Sequence, residues 1–179
     1  MADSQPQFER DDHEAILKYA LSLAQESPPK PTNFRVGAVL IDIQSNTVTS
    51  TGYTLELEGN SHAEQSAFAK LAKRLGVDDE QGLARAMDRK PHVLYTTMEP
   101  CAKRLSGNKP CLDRVLEQRG WVKRVVVGVL EPTDFVEGND GKQRMERDGI
   151  EVLHVGGMEE NILRVARAGH DSNQDSLAI

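Results

Sequence analysis

The chain has 179 residues, enough for one domain with a sizeable core and short for two. Its 22 Lys+Arg against 28 Asp+Glu give a formal charge of −6, so no bulk positive field draws it to nucleic acid or to an anionic membrane, and any anion must be caught by a local basic pocket. Two cysteines are too few for a disulfide framework and point to a metal or redox site in a reduced compartment, with the cytoplasm as the default.

The opening MADSQPQFERDDHE has no apolar core for a signal peptide, and residues 1–10 are expected to be flexible. Asp11 or Asp12 can cap a first helix in which Ile16, Leu17, Ala20, Leu21 and Ala24 recur at helical spacing until ESPPKP ends it. FRVGAVLIDI and TVTSTGYT are rich in β-branched and aliphatic residues around a turn-prone QSN, which predicts a hairpin. SHAEQSAFAKLAKRLG follows as a helix, with Ala63, Ala67, Leu71 and Leu75 on one stripe and Gly76 as its stop.

VDDEQGLARAMDRK is a polar connector with a partial helix, and HVLYTTM is a buried strand. CLDRVLEQRG is a helix begun by Pro110 and ended by Gly120, and RVVVGVL is a strand buried on both faces. GKQRMERDG, IEVLHV and MEENILRVARAG give helix, strand and helix, and residues 170–179 form a tail expected to be disordered. The longest aliphatic run, VVVGVL, is far below the roughly 20 apolar residues that cross a bilayer. Residues 11–169 are thus expected to be a single α/β domain, three layers around a mixed five-stranded sheet, because strand-helix-strand units require covered parallel crossovers. Its active edge should lie at the carboxyl ends of strands, where helices begin.

The chemistry-bearing residues cluster in two stretches, NSHAEQ and EPCAKRLSGNKPC. A catalytic zinc commonly takes three protein ligands and keeps a fourth position for water; His62, Cys101 and Cys111 supply that number. Two thiolates and a neutral imidazole balance Zn²⁺, so a water in the fourth position could lose a proton near neutral pH. Glu64, two residues after His62 and not needed as a ligand, is the candidate proton carrier. His-x-Glu with Pro-Cys-x-x-Cys marks zinc nucleobase deaminases. The first half fits, but nine residues separate Cys101 from Cys111 where that pattern has two. The longer loop carries Lys103, Arg104, Ser106, Asn108 and Lys109, a concentration of phosphate donors in an acidic protein.

TNFRVGAVL, GYTLELEGNSHAEQ, TTMEPCAKRLSGNKPC and RVVVGVLEPTDF, taken in that order, resemble the deaminases of riboflavin biosynthesis in the cytidine deaminase-like superfamily, the fungal type above all. The resemblance covers about residues 32–155. It implies a cytidine deaminase-like α/β/α fold and zinc-dependent hydrolysis of an exocyclic amine. The substrate implied is 2,5-diamino-6-(ribitylamino)pyrimidin-4-one 5'-phosphate; the products are 5-amino-6-(ribitylamino)uracil 5'-phosphate and ammonia. It also implies that His62, Cys101 and Cys111 hold zinc, that Glu64 shuttles protons, and that Asn33 reads the pyrimidine edge. Ser61 and Ala63 would line the base pocket, with Lys103, Arg104, Ser106 and Asn108 on the phosphate. A homodimer is expected, with no nucleic acid or membrane partner, and no appended reductase half.

Two other readings stay open at this point. One is a cytidine, cytosine or other nucleobase deaminase of the same fold; the other is a zinc-stabilised interaction domain without chemistry, against which Glu64 argues. A structural zinc site would need a fourth ligand, and His13, His92, His154 and His170 have no partners at ligand spacing. His92 and His154 are read as ordinary sheet-edge residues, and Trp121 as a packing or subunit-contact residue.

Overall fold

A computed structural model describes residues 5–130 and 140–170. The EPTDF portion of one resembling stretch, the first four residues and residues 171–179 of the expected tail lie outside the described residues. Helix α1, His13–Glu26, begins where the Asp12 carboxylate accepts from the Ala15 amide at 3.0 Å. It buries Ile16, Leu17, Ala20 and Ala24 and stops at Ser27, ahead of the Pro28-Pro29 pair. Strands β1 (Gly37–Asp42) and β2 (Thr47–Tyr53) form the expected antiparallel hairpin.

Helix α2, Ala63–Leu75, ends on Gly76 at φ +68, a left-handed position that costs glycine little. Leu75 departs from its expected place on the buried stripe and is 41% exposed. The helix ends there: Val77 turns back, donates to the Ala72 carbonyl at 3.1 Å and packs against the core. The polar connector contains a helix of its own, α3 (Glu80–Ala86), begun by the Asp79 side chain. Strand β3 (His92–Met98) is buried at every residue. Then follow α4 (Cys111–Glu117), β4 (Val122–Val129), α5 (Gly141–Arg147), β5 (Glu151–His154) and α6 (Glu159–Ala166).

The sheet order is β2-β1-β3-β4-β5; β1 is antiparallel to β2 and β3, whereas β3, β4 and β5 run parallel. The sheet is therefore mixed and five-stranded, as expected. Alternation along its strands sends Ala38, Leu40, Leu94, Val125 and Val127 to one face, under α2 to α5. Val39, Ile41, Val93, Tyr95 and Val126 go to the other, under α1 and α6. With both faces covered, the central strands are buried along nearly their whole length rather than at alternate residues.

This topology brings several segments to one edge. The carboxyl ends of β3, β4 and β5 lie there because those strands are parallel; the start of β1 and the end of β2 lie there because they are antiparallel. Gly52, near the end of β2, fixes the approach of α2. A Cβ on that residue would overlap the Ala63 carbonyl, so the first turn of α2 rests directly on the strand. Trp121, one residue before β4, is fully buried, donates to Gln118 Oε1 at 2.7 Å and stands edge-on to Phe68 and His92. Of the two roles expected for it, packing is the one this burial shows. Among the described residues no helix is long and apolar enough to cross a membrane.

Candidate active site

Three segments converge at this edge. The first arrives from β2 through two consecutive left-handed residues, Gly59 (φ +83) and Asn60 (φ +60), residue types that tolerate this geometry. The chain then straightens at His62, the residue before α2, and Glu64 falls in the first turn. The second segment leaves the carboxyl end of β3 as Glu99-Pro100-Cys101. The third is the start of α4, where Pro110 sits at the cap and Cys111 is the first helical residue.

The cysteine loop closes on itself. The Cys111 amide donates to the Cys101 sulfur at 3.4 Å, and the Leu112 amide to the Cys101 carbonyl at 3.1 Å. Both sulfurs face one imidazole nitrogen: His62 Nδ1 is 3.6 Å from Cys101 Sγ and 3.4 Å from Cys111 Sγ. The three donor atoms lie within 4.8 Å of one another. One nitrogen and two sulfurs at this separation suit a soft or borderline cation, and among the described residues the set stops at three. Glu64 stands outside it and is 3% exposed, with Oε1 at 2.9 Å from the Thr96 hydroxyl. The donor set therefore fits zinc with one position left for a small oxygen ligand.

Electrostatics at the site follow from burial and proximity. Cys111 donates to the Cys101 sulfur, and with the help of His62 this pulls the Cys101 thiol down to about 4. The same hydrogen bond, together with burial, pushes Cys111 up. A metal held by both sulfurs would displace their protons. Burial, with the Cys101 charge second, raises the Glu64 carboxyl above the usual range.

A cavity of about 270 Å³ opens over this cluster. His62, Glu64 and Cys101 lie along it, as does Asn33. The Asn33 amide is already oriented, since its nitrogen donates to Asn60 Oδ1 at 2.6 Å and its oxygen accepts from the Thr32 hydroxyl at 3.0 Å. Lys103, Arg104 and Ser106 also line the cavity.

The remaining candidates fall elsewhere. Ser61 is buried, its hydroxyl donating to the Leu57 carbonyl and accepting from the Ser66 hydroxyl, and neither it nor Ala63 lines the cavity. Asn108 is exposed and outside the lining, and its amide donates to the Ser106 hydroxyl. Lys109 turns away to Glu80 and Glu117. Sequence reasoning missed Phe34, Leu163 and Arg167 on the opposite wall, and Thr96 behind Glu64. The last three come from β3 and from α6 and its cap, remote from NSHAEQ in the chain, and only the tertiary fold brings them near.

The layered mixed sheet with a His/Cys/Cys cluster at its carboxyl edge defines a cytidine deaminase-like class. The chain belongs to the family described as the cytidine and deoxycytidylate deaminase zinc-binding region, which it matches over residues 10–129. It is 35% identical over 158 residues to the diaminohydroxyphosphoribosylamino-pyrimidine deaminase of Schizosaccharomyces pombe, an alignment covering 88% of this chain and 36% of that protein. It is 32% identical over 140 residues to the riboflavin biosynthesis protein RibD of Aquifex aeolicus, covering 76% and 33% respectively. The chain thus spans about a third of the length of these curated relatives. Among solved structures it is similar to the Rib2 deaminase of Aspergillus oryzae, a C-terminal deletion mutant, with a TM-score of 0.82, 40% identity and coverage of 91% of this chain and 95% of that one. The same enzyme in complex with DARIPP superposes with a TM-score of 0.80 at 39% identity.

Proposed function

We propose that the chain is a zinc-dependent hydrolytic deaminase of riboflavin biosynthesis that acts on a phosphorylated diaminopyrimidinone bearing a ribityl chain. The reading is carried by one observation: a buried Glu64 carboxylate beside the His62, Cys101 and Cys111 donors, facing a cavity that Lys103, Arg104 and Arg167 also line. Likeness to the Aspergillus oryzae enzyme that was crystallised with DARIPP supports the substrate class.

In this proposal His62, Cys101 and Cys111 hold zinc. Bound there, zinc supplies the Lewis acidity that makes water a nucleophile near neutral pH. Glu64 would take one proton from the attacking water and give it to the ring nitrogen as the C–O bond forms, then take the second from the added hydroxyl and give it to the amine, which leaves as ammonia as the C–N bond breaks and the carbonyl forms. Thr96 suits both of its protonation states. Its hydroxyl is 2.9 Å from Glu64 Oε1 and 2.9 Å from the Met98 carbonyl. It can donate to the carboxylate, or donate to Met98 while accepting from the carboxylic acid. Burial raises the carboxyl's proton affinity toward the range in which such a shuttle works. Asn33 would offer a pre-oriented amide to the pyrimidine edge, and Lys103 and Ser106, which line the same cavity, would face the phosphate.

Both thiols must stay reduced to act as ligands, so the cytoplasm is the compartment proposed. A homodimer is proposed on the family resemblance, with light scattering at twice the 19.8 kDa chain mass as its test. The function is tested by ammonia release from three compounds, the ribityl phosphate, the ribosyl phosphate and cytidine. The reading expects turnover of the ribityl phosphate; turnover of cytidine alone would replace it with a nucleoside deaminase.

A further inference from the structure

Arg104 sits three residues after Cys101 and was expected to grip a phosphate. In the fold it is 9% exposed, and both of its terminal nitrogens are engaged by protein oxygens. Nη1 donates to Gln65 Oε1 at 3.0 Å, and the same oxygen lies 3.4 Å from the His62 amide. Nη2 donates to the Asn60 carbonyl at 2.6 Å. Asn60 in turn receives the Asn33 amide at 2.6 Å. One guanidinium therefore spans from the cysteine loop to residues on both sides of His62, and through Asn60 to Asn33. A planar fork with fixed donor directions can make this span, and a single ammonium cannot.

The cations left over at the cavity are different ones. Lys103 and Arg167 both line it, and among the described residues neither side chain has a hydrogen bond or ion pair. Arg167 caps the end of α6, next to Leu163 and on the wall that carries Phe34. A doubly charged phosphate entering between the cysteine loop and α6 would meet two uncommitted cations there.

We infer that Arg104 is a positioning residue that locks the Cys101 loop against the His62 segment, and that the substrate phosphate is taken by Lys103 and Arg167. The phosphate half rests on the proposed function; the positioning half does not. The lock sets how far the Cys101 sulfur stands from the His62 ring, so its first readout is metal retention. Zinc-loaded full-length protein is mixed with excess chromophoric chelator, and zinc release is timed. R104Q should release zinc faster by about ten-fold or more, the scale seen when groups supporting metal ligands are removed. R104K, which keeps the charge and loses the fork, should not restore the wild-type rate. R167Q and K103Q should release zinc at the wild-type rate.

The second readout is steady-state kinetics on the phosphorylated pyrimidine and on its dephosphorylated form. R104Q should lower kcat on both, whereas R167Q and K103Q should raise KM by about ten-fold on the phosphorylated one only, as expected for losing a charge-assisted contact. Wild-type zinc release in R104Q or R104K would overturn the positioning role. An R104Q defect confined to the KM of the phosphorylated compound would return Arg104 to the phosphate. An unchanged KM in R167Q would overturn the phosphate assignment. If the wild-type protein turned over no phosphorylated pyrimidine, the proposed function would fail while the zinc-release comparison still decided the role of Arg104.

Discussion

Two residues with unusual surroundings make their own predictions. Thr96 is buried and shares its single proton between the Glu64 carboxylate and the Met98 carbonyl. Thr96→Val keeps the shape and removes the hydroxyl, leaving Glu64 without this partner. Turnover should fall by about ten-fold, with KM moving little, because the loss affects orientation of the proton carrier rather than substrate contact. A rise in KM with kcat retained would contradict this. His92 is the second case. Its Nδ1 is 2.8 Å from the Lys90 carbonyl, while Nε2 is buried with no partner. Burial lowers its proton affinity below the ordinary value near 6.5. The folded pKa is depressed, so this contribution to stability is complete above about pH 6.5 and is lost as pH falls through that value toward the folded pKa. Urea midpoints measured from pH 7.5 down to 5 should therefore fall less steeply for His92→Phe than for the wild type. Parallel slopes would contradict the account.

At the scale of elements, α3 has a purpose that its polar sequence conceals. Glu80, its first residue, is 17% exposed; it pairs with Arg114 and, at 3.2 Å, with Lys109, while its carbonyl accepts from Gln118 Nε2 at 3.0 Å. Those partners lie in α4 or immediately beside it, on either side of Cys111. The helix thus fastens the element that carries one sulfur. Glu80→Ala should lower stability by about 1–3 kcal/mol by leaving Arg114 without its carboxylate in a partly buried place, while Lys109 keeps Glu117. Denaturant unfolding measures this, and a change within experimental error would show the pairs to be solvated surface contacts.

The elements themselves were largely legible, because their signals are local. An aspartate cap opens α1, glycine closes α2, proline precedes α4, and runs rich in β-branched and aliphatic residues mark β3 and β4. Leu75 was misplaced because periodicity does not know where the helix turns back. The site was half legible for the same reason. His62 with Glu64, and Cys101 with Cys111, are close in sequence, and a motif reports them. Thr96, Arg167 and the partners of Arg104 are assembled by strand register and by a left-handed turn at Gly59-Asn60, and nothing local announces them.

On the scale of the whole molecule, one edge of the sheet gathers residues from β3, α2, α4 and α6, and a cation there would tie three of these segments together. A ligand that binds only the folded state stabilises it by mass action, by about 4 kcal/mol when present at a thousand times its dissociation constant. For a chain of this size, stripping zinc should lower the thermal midpoint by on the order of 10 °C, restored by adding zinc back. An unchanged midpoint would mean that the cluster holds no metal in solution.

The central claim is that Glu64 moves protons beside a zinc held by His62, Cys101 and Cys111. The most direct measurement is ammonia release from the ribityl phosphate by wild type and Glu64→Gln, with the zinc content of both determined on the same samples. About one zinc per chain is expected in each, with turnover lower by about 10²–10⁴-fold in the variant. Turnover at the wild-type rate in a zinc-replete Glu64→Gln protein would contradict the claim.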